Sequence, residues 1–521
     1  MNLDKVYKPG LLALALLMFI GVGVSQSRLN GLRAELKLTR LVPLENAPPA
    51  LAFTTVALGG FRGLIANVLW IRANDLQQDE KFFEMVQLAD WITKLQPHFV
   101  TVWVHQAWNM AYNISVKFPE AKDRWLWVSR GVELLRDEGM RYNPEEPLIY
   151  RELAWFYQHK MGANLDQAHM YYKQMLRRDV TPVLGGSRQS WKELVNPQTE
   201  EARERAKVLR EKLKLDPQRM AKVDESFGPL EWRLPEAHAI YWASFGLEKC
   251  IGNRARTNDI ITLRRVIYQS MQLAFQRGRL VEVNLDELDK RFQFGPNIDV
   301  IPKANLAYEQ MMAEDAVNRD HISNGHRNFV IQAITALYTH NREADARKWL
   351  EYLAAKYPDF LRQQYPHAVK AGLNLDEFVL PRVAEMMDGG KDKTQTLLEG
   401  FLSRSFYSLS IDEDDEAVSL ERMARKVWLR YQDKTQGSDP GRVDLPPYDE
   451  IKRTVLNRML DPRAGGGSLL VARLRTKLGL PAPTNPAATN LPPAGIKAPL
   501  PSGQTNAAAG ATNQAPATPK K

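Results

Sequence analysis

Cysteine is almost absent: Cys250 is the only one in 521 residues. A single thiol excludes an intramolecular disulfide framework and any zinc site built on paired cysteines. The short signatures of common enzyme chemistries are also missing. The chain has no His-Glu-x-x-His, no phosphate-cradling glycine loop, no dinucleotide fingerprint and no nucleophile elbow. Its nine histidines are scattered, and His321 and His326, five apart, fall on different faces of a helix and do not read as a metal pair. Concentrated charge is lacking too. A net charge of +9 over this length is diffuse, and in the most charged stretch, Glu200 to Leu215, the signs alternate as on a solvated helix laced with ion pairs. No nucleic-acid partner, metal, cofactor or catalytic residue is expected. The acidic run Ser410 to Glu416 lacks the glycine and closing glutamate of a calcium loop. It reads as a helix start, with acids at the positive end of the dipole and Arg422, Arg425, Lys426 and Arg430 further along.

Long apolar runs are few. The longest, Leu11 to Val24, follows Lys5 and Lys8 and covers fourteen residues. That is roughly 21 Å of helix, short of a ~30 Å hydrocarbon core unless the flanks are drawn in. Its place behind two lysines at the N-terminus reads as a signal-anchor over residues 1–27, followed by a linker over 28–60. The expected location is a bacterial inner membrane, single-pass, with the soluble part on the extracytoplasmic side; Arg28, Arg33, Lys37 and Arg40 would favour the cytoplasmic alternative. A second stretch, Ala50 to Ile71, is broken by Gly59, Gly60 and Arg62 and reads as no second span. Leu64, Ile65, Val68, Leu69 and Arg72 instead begin a soluble helix, with its apolar face on neighbouring helices or at the membrane surface.

Helical periodicity dominates the rest. Pro144 marks a break, and the helix after it carries large residues at Tyr150, Leu153 and Tyr157 with small Ala154 beside them. Upstream, Pro97 ends one helix and Trp103 opens the next, with small Ala107 following. Pro97 to Trp103 and Pro144 to Tyr150 both count six residues. Downstream, Val330, Ala333, Ile334 and Leu337 precede the turn Thr339 to Glu343, and Ala346, Leu350, Leu353 and Pro358 follow. Ala243 and Gly246 allow close packing between a helix at Ala239 to Leu247 and one at Ile260 to Gln276.

This order of large aromatic, Leu, small residue and Tyr, then Ala, an aromatic and a closing Pro resembles the tetratricopeptide repeat family. The match is degenerate. Pro97 to Pro144 is 47 residues apart against roughly 34 for a regular repeat, and after Tyr157 the match to Ala168 and Tyr172 needs two extra residues. The resemblance implies an all-α fold, a degenerate α-solenoid of antiparallel helix pairs that binds proteins in its groove. The expected layout is aromatic-rich repeats over 61–182 and a loop with the charged helix over 183–230. Further repeats over 231–380 include the clearest pair at 328–358, and C-terminal helices fill 381–480. The Pro/Ala/Asn-rich tail, 481–521, cannot bury a core and should be disordered.

Partner-binding residues are expected where aromatic and amide side chains crowd together: Trp103, Gln106, Trp108, Asn109, Tyr112, Asn113, Glu152, Trp155 and Gln158. The function this implies is a membrane-anchored scaffold holding a protein segment within a cell-envelope assembly. The alternative is a glycan-binding or carbohydrate-active helical protein using the same tryptophan-rich block, with Glu133, Asp137, Glu138 and Glu152 as its carboxylates.

Overall fold

The computed structural model describes residues 4–35, 61–184, 191–250, 257–284, 290–385, 391–435, 445–461 and 468–481. Residues 36–60, which hold most of the expected linker, lie outside the described residues, as do 482–521 of the expected tail. Side chains of residues 4–13 also lie outside them.

The fold is all-α apart from one hairpin among the described residues. In chain order the N-terminal helices are α1 (Asp4–Glu35), α2 (Phe61–Gln78), α3 (Phe82–Leu95), α4 (Val100–Trp108), α5 (Ala121–Glu133), α6 (Pro147–Trp155) and α7 (His169–Leu184). The middle of the chain has α8 (Trp191–Val195), α9 (Glu200–Glu211), α10 (Pro217–Phe227), α11 (Pro235–Cys250) and α12 (Thr257–Arg277). After the hairpin β1 (Arg279–Asn284) and β2 (Lys290–Gly295) come α13 (Ile301–Glu314), α14 (Arg319–Thr339), α15 (Glu343–Lys356), α16 (Pro358–Gln364), α17 (Pro366–Lys370) and α18 (Leu375–Glu385). The last are α19 (Lys391–Ser410), α20 (Asp414–Thr435), α21 (Tyr448–Leu460) and α22 (Ser468–Lys477).

Local chemistry sets the starts. Thr199 caps α9 by accepting the Ala202 amide, and Asp216 caps α10 by accepting the Arg219 amide ahead of Pro217 at the first helical position. Asp414, Asp415 and Glu416 occupy the first turn of α20, as the acidic run leads one to expect. The repeated six-residue count has a physical cause. The Trp103 indole N–H donates to the Pro97 carbonyl at 2.8 Å, and the Tyr150 hydroxyl donates to the Pro144 carbonyl at 2.7 Å. Each aromatic ring reaches back along its helix and satisfies a carbonyl of the preceding turn with its polar tip while the ring body is buried. Asn143 donates to the same Pro97 carbonyl at 2.8 Å, tying the end of the α5 segment to the α3–α4 turn.

Consecutive helices pack on one another through most of the chain: α2 on α3, α4 on α5, α10 through α15 in order, and α19 on α20. The α14–α15 pair turns at His340–Arg342, with Asn341 in the left-handed region at φ +59°, and buries Val330, Ala333, Ile334, Leu337, Ala346, Leu350 and Leu353. Longer-range packing also occurs, since α6 lies against both α11 and α12. Gly246 of α11 meets Tyr150 of α6: a Cβ there would come within 2.6 Å of the Tyr150 Cβ and 3.2 Å of Leu263. Gly246→Ala is therefore expected to lower stability by about 1–3 kcal/mol through overpacking, measured by urea denaturation. An unchanged midpoint would mean that α6 and α11 can separate without penalty.

The structure differs from the sequence reading in the connections. The expected layout places residues 279–295 within further helical repeats over 231–380. In fact β1 and β2 pair antiparallel, with Val281 opposite Gln293 and Val283 opposite Arg291, and residues 285–289 lie outside the described residues. The alternation Val281-Glu-Val283 and Phe292-Gln-Phe294 is the strand signal that reading missed. The loop expected at the start of 183–230 is partly helical, with α7 running through Pro182 to Leu184 and α8 beyond it, while 185–190 are not described. Among the described residues no helix is long and apolar enough to cross a membrane. The described apolar side chains of α1, from Leu14 to Val24, are nonetheless exposed, with Phe19 at 78%.

Candidate functional site

Three N-terminal helices do not stay α-helical to their ends. α4 continues as a π turn at Asn109–Ile114, α5 at Leu134–Gly139 and α6 at Phe156–Gly162. A π turn lodges one extra residue in a helix and re-aims the side chains after it. The last of these lies in the stretch where the spacing after Tyr157 runs long. The π turns of α4 and α6 touch each other.

Their contact brings Tyr112 and His159 together, the tyrosine oxygen 3.1 Å from His159 Nδ1. Each ring is backed by a tryptophan one turn earlier in its own helix. Trp108 stacks on Tyr112 at 4.1 Å and Trp155 on His159 at 4.6 Å. The Trp108 indole N–H donates to Glu152 at 2.7 Å, and Arg151 donates to the other carboxylate oxygen. An aromatic shelf results, fixed from below by a buried carboxylate.

Beside the shelf lies a buried ionic knot. Lys160 is over the Tyr112 ring, 5.0 Å from its centroid, and donates to Asp166 at 2.6 Å. Asp166 also accepts from Arg124 at 3.2 Å, from the Ala168 amide at 2.8 Å and from the Tyr172 hydroxyl at 3.2 Å. Side-chain exposure is 4% for Lys160, 6% for Asp166 and 12% for Arg124. Burial pushes the Asp166 carboxyl up, but the bonds from Lys160, Ala168 and Arg124 outweigh it and hold the group below the ordinary carboxylate range. Burial lowers the Lys160 ammonium, and Asp166 only partly restores it. Burial, then the neighbouring Lys160 charge, lowers His159, so its imidazole is neutral at pH 7. Burial raises the Tyr112 hydroxyl, which stays protonated.

A cleft of about 440 Å³ opens on this assembly, lined by Tyr112, Val116, Arg124, His159, Lys160, Leu165, Asp166 and Gln167. Val116 and Leu165 form an exposed apolar rim. Two cations share the one carboxylate of Asp166, so the cleft keeps a single net positive charge beside fixed dipoles, a neutral imidazole and the Tyr112 ring. Such a surface can hold an extended segment by stacking and hydrogen bonding. A second cleft, about 510 Å³, lies between the hairpin and α19, but its arginines are engaged: Arg279 by Glu413 and Arg404 by Glu416.

Of the nine residues expected to line a groove, five are buried. Trp103, Gln106, Asn109 and Gln158 are buried and brace neighbouring backbone. Gln106 donates to Val86 and Asn109 to Phe82 on α3, while Gln158 donates to the Val266 carbonyl and Ser270 hydroxyl of α12. Carbonyls and a hydroxyl of adjacent helices take up the amide N–H groups, while the side-chain oxygens of Gln106 and Gln158 are buried without a hydrogen-bond partner among the described residues. Glu152 is buried too, acting through Trp108. Trp108, Tyr112, Asn113 and Trp155 keep access to solvent. Of the other carboxylates, Asp137 is held by Arg136 at 2.6 Å, and Glu133 and Glu138 are exposed. His326 is buried, with one ring nitrogen on Tyr357 and the other on Asn305, each at 2.7 Å. The sequence reading missed Arg124, His159, Lys160 and Asp166; nothing in their spacing marks them.

No protein-family model matches the chain, and no curated protein matches it.

Proposed function

We propose that this chain is a membrane-anchored interaction scaffold, a degenerate tetratricopeptide-like solenoid that holds a segment of a partner protein in the cleft beside α4–α6. The observation that carries the reading is the shelf of Trp108, Tyr112, Trp155 and His159: aromatic faces reachable from solvent and pre-set by buried partners. Ordering them on binding costs little further entropy. The in-order packing of helix pairs and the α14–α15 hairpin support the repeat reading. The exposed apolar side chains of α1, Leu14 to Val24, support its insertion in a bilayer, bacterial inner membrane by this reading, with the helical array on the extracytoplasmic side.

The test is crosslinking in native membranes followed by identification of captured proteins. Val116→Asp with Leu165→Asp changes only exposed rim residues, so helical content should be unchanged while a discrete captured set falls at least tenfold. Undiminished capture would remove the cleft assignment. A glycan ligand is the second reading, favoured by the two flat stacked pairs, on which a sugar ring could lie. Oligosaccharide binding that is lost in Trp108→Ala, with no protein captured, would establish it instead.

A further inference from the structure

Helix α2 carries apolar residues on two sides. Ala66, Ala73 and Leu76 face inward and pack with Met85, Ala89, Ile92 and Val102. Phe61, Leu64, Ile65, Val68 and Ile71 fall on the other side at steps of three, four and seven, which places them on one stripe about 15 Å long. They are exposed at 71%, 62%, 36%, 59% and 62%. Scattered apolar surface residues are ordinary, but five in one stripe mark an interaction surface. The protein covers the inward side of α2 and leaves this stripe exposed. Arg72 and Asp75, exposed on the same stripe, end it.

We infer that this stripe lies in the interfacial layer of a phospholipid bilayer bearing anionic headgroups. The inference rests in part on the membrane reading of α1, although it stands on different residues. Charge favours lipid. Between residues 25 and 75 the sequence has six basic residues, Arg28, Arg33, Lys37, Arg40, Arg62 and Arg72, against three acidic ones, Glu35, Glu45 and Asp75. A basic segment flanking an apolar helical face matches an anionic surface, each charge contributing about 1 kcal/mol near it. Area argues against a second copy of the chain. Five side chains fall short of the roughly 800 Å² per partner that a stable protein interface covers.

The experiment uses the full chain with Cys250→Ser, reconstituted into phosphatidylcholine vesicles with and without phosphatidylglycerol. A polarity-sensitive fluorophore is placed in turn at Leu17→Cys on α1, at Val68→Cys on the stripe and at Asn74→Cys, exposed on another face of α2. The Val68 label should shift to the blue and be quenched by brominated lipid at least half as strongly as the Leu17 label, more so with phosphatidylglycerol. The Asn74 label should stay open to aqueous iodide. Quenching at Leu17 with none at Val68 overturns this inference and leaves the anchor reading standing. Quenching at Val68 with none at Leu17 does the reverse. Protection of Val68 that needs no lipid and grows with protein concentration also overturns the inference, assigning the stripe to a second copy.

Discussion

Acidification from pH 7 to pH 5 is expected to cost the folded chain about 4 kcal/mol through two buried histidines. Burial holds both His238 and His326 down at about 4, from an ordinary 6.5. His238 donates from Nε2 to the Trp232 carbonyl at 2.9 Å and stacks on Tyr157 at 5.0 Å; the Arg136 charge opposes its protonation further. At His326 the Lys356 charge opposes protonation and Glu309 favours it more weakly. Between pH 6.5 and pH 4 the unfolded chain binds these protons and the folded chain does not. Stability therefore falls as pH drops through that window, by about 1.4 kcal/mol per pH unit and histidine. Aspartates held low, such as Asp166 and Asp315, add their own loss only below their unfolded value of 3.8, so the two effects separate in pH. Urea denaturation of the wild type and of His238→Gln with His326→Gln, at half-unit steps, checks this. The double variant should be less stable at pH 7 and flatter between pH 6.5 and 5. A wild-type curve already flat there would mean that the two rings are protonated in the folded state.

Asp166→Ala is expected to lower stability by about 3–5 kcal/mol, because it leaves Lys160 and Arg124 as buried, unbalanced cations. The pair interactions themselves are not what the loss measures. Removing one member of a buried ionic cluster exposes the desolvation cost of those that remain. Adding Lys160→Met should accordingly recover a large part of the loss, since the thioether fills similar volume without a charge and can still lie against Tyr112. Thermal and urea denaturation of the single and double variants form the cycle. If Asp166→Ala costs under about 1 kcal/mol, the knot is solvated and the cleft floor is not rigid.

The cleft was only partly legible in sequence, and individual residues say why. Trp108, Tyr112 and Trp155 stood out as aromatic residues at helical spacing, and the structure keeps them at the surface of the site. Gln106, Asn109 and Gln158 looked equally suited to a groove, yet they face the backbones of α3 and α12. Helical period alone does not say which side of a helix a neighbour will cover. His159 and Asp166 escaped notice because their meaning depends on partners. Tyr112 and His159 are 47 residues apart, and Arg124 and Asp166 are 42 apart.

What the sequence determined by itself was the helical character of the chain, a few helix starts such as the acidic one at Asp414, and the punctuation at Pro97 and Pro144. Those features rest on interactions within one or two turns: capping oxygens, proline at the first helical position, and an aromatic tip reaching back six residues to a carbonyl. Tertiary structure alone decided where helices slip into π turns, which amides became braces, and that one buried aspartate gathers two cations beside an aromatic shelf. Each of these depends on packing between distant segments, such as Gln158 against Ser270, 112 residues away. The hydrogen bonds of a π turn or a buried amide are favourable only once a neighbouring helix has removed water from one side.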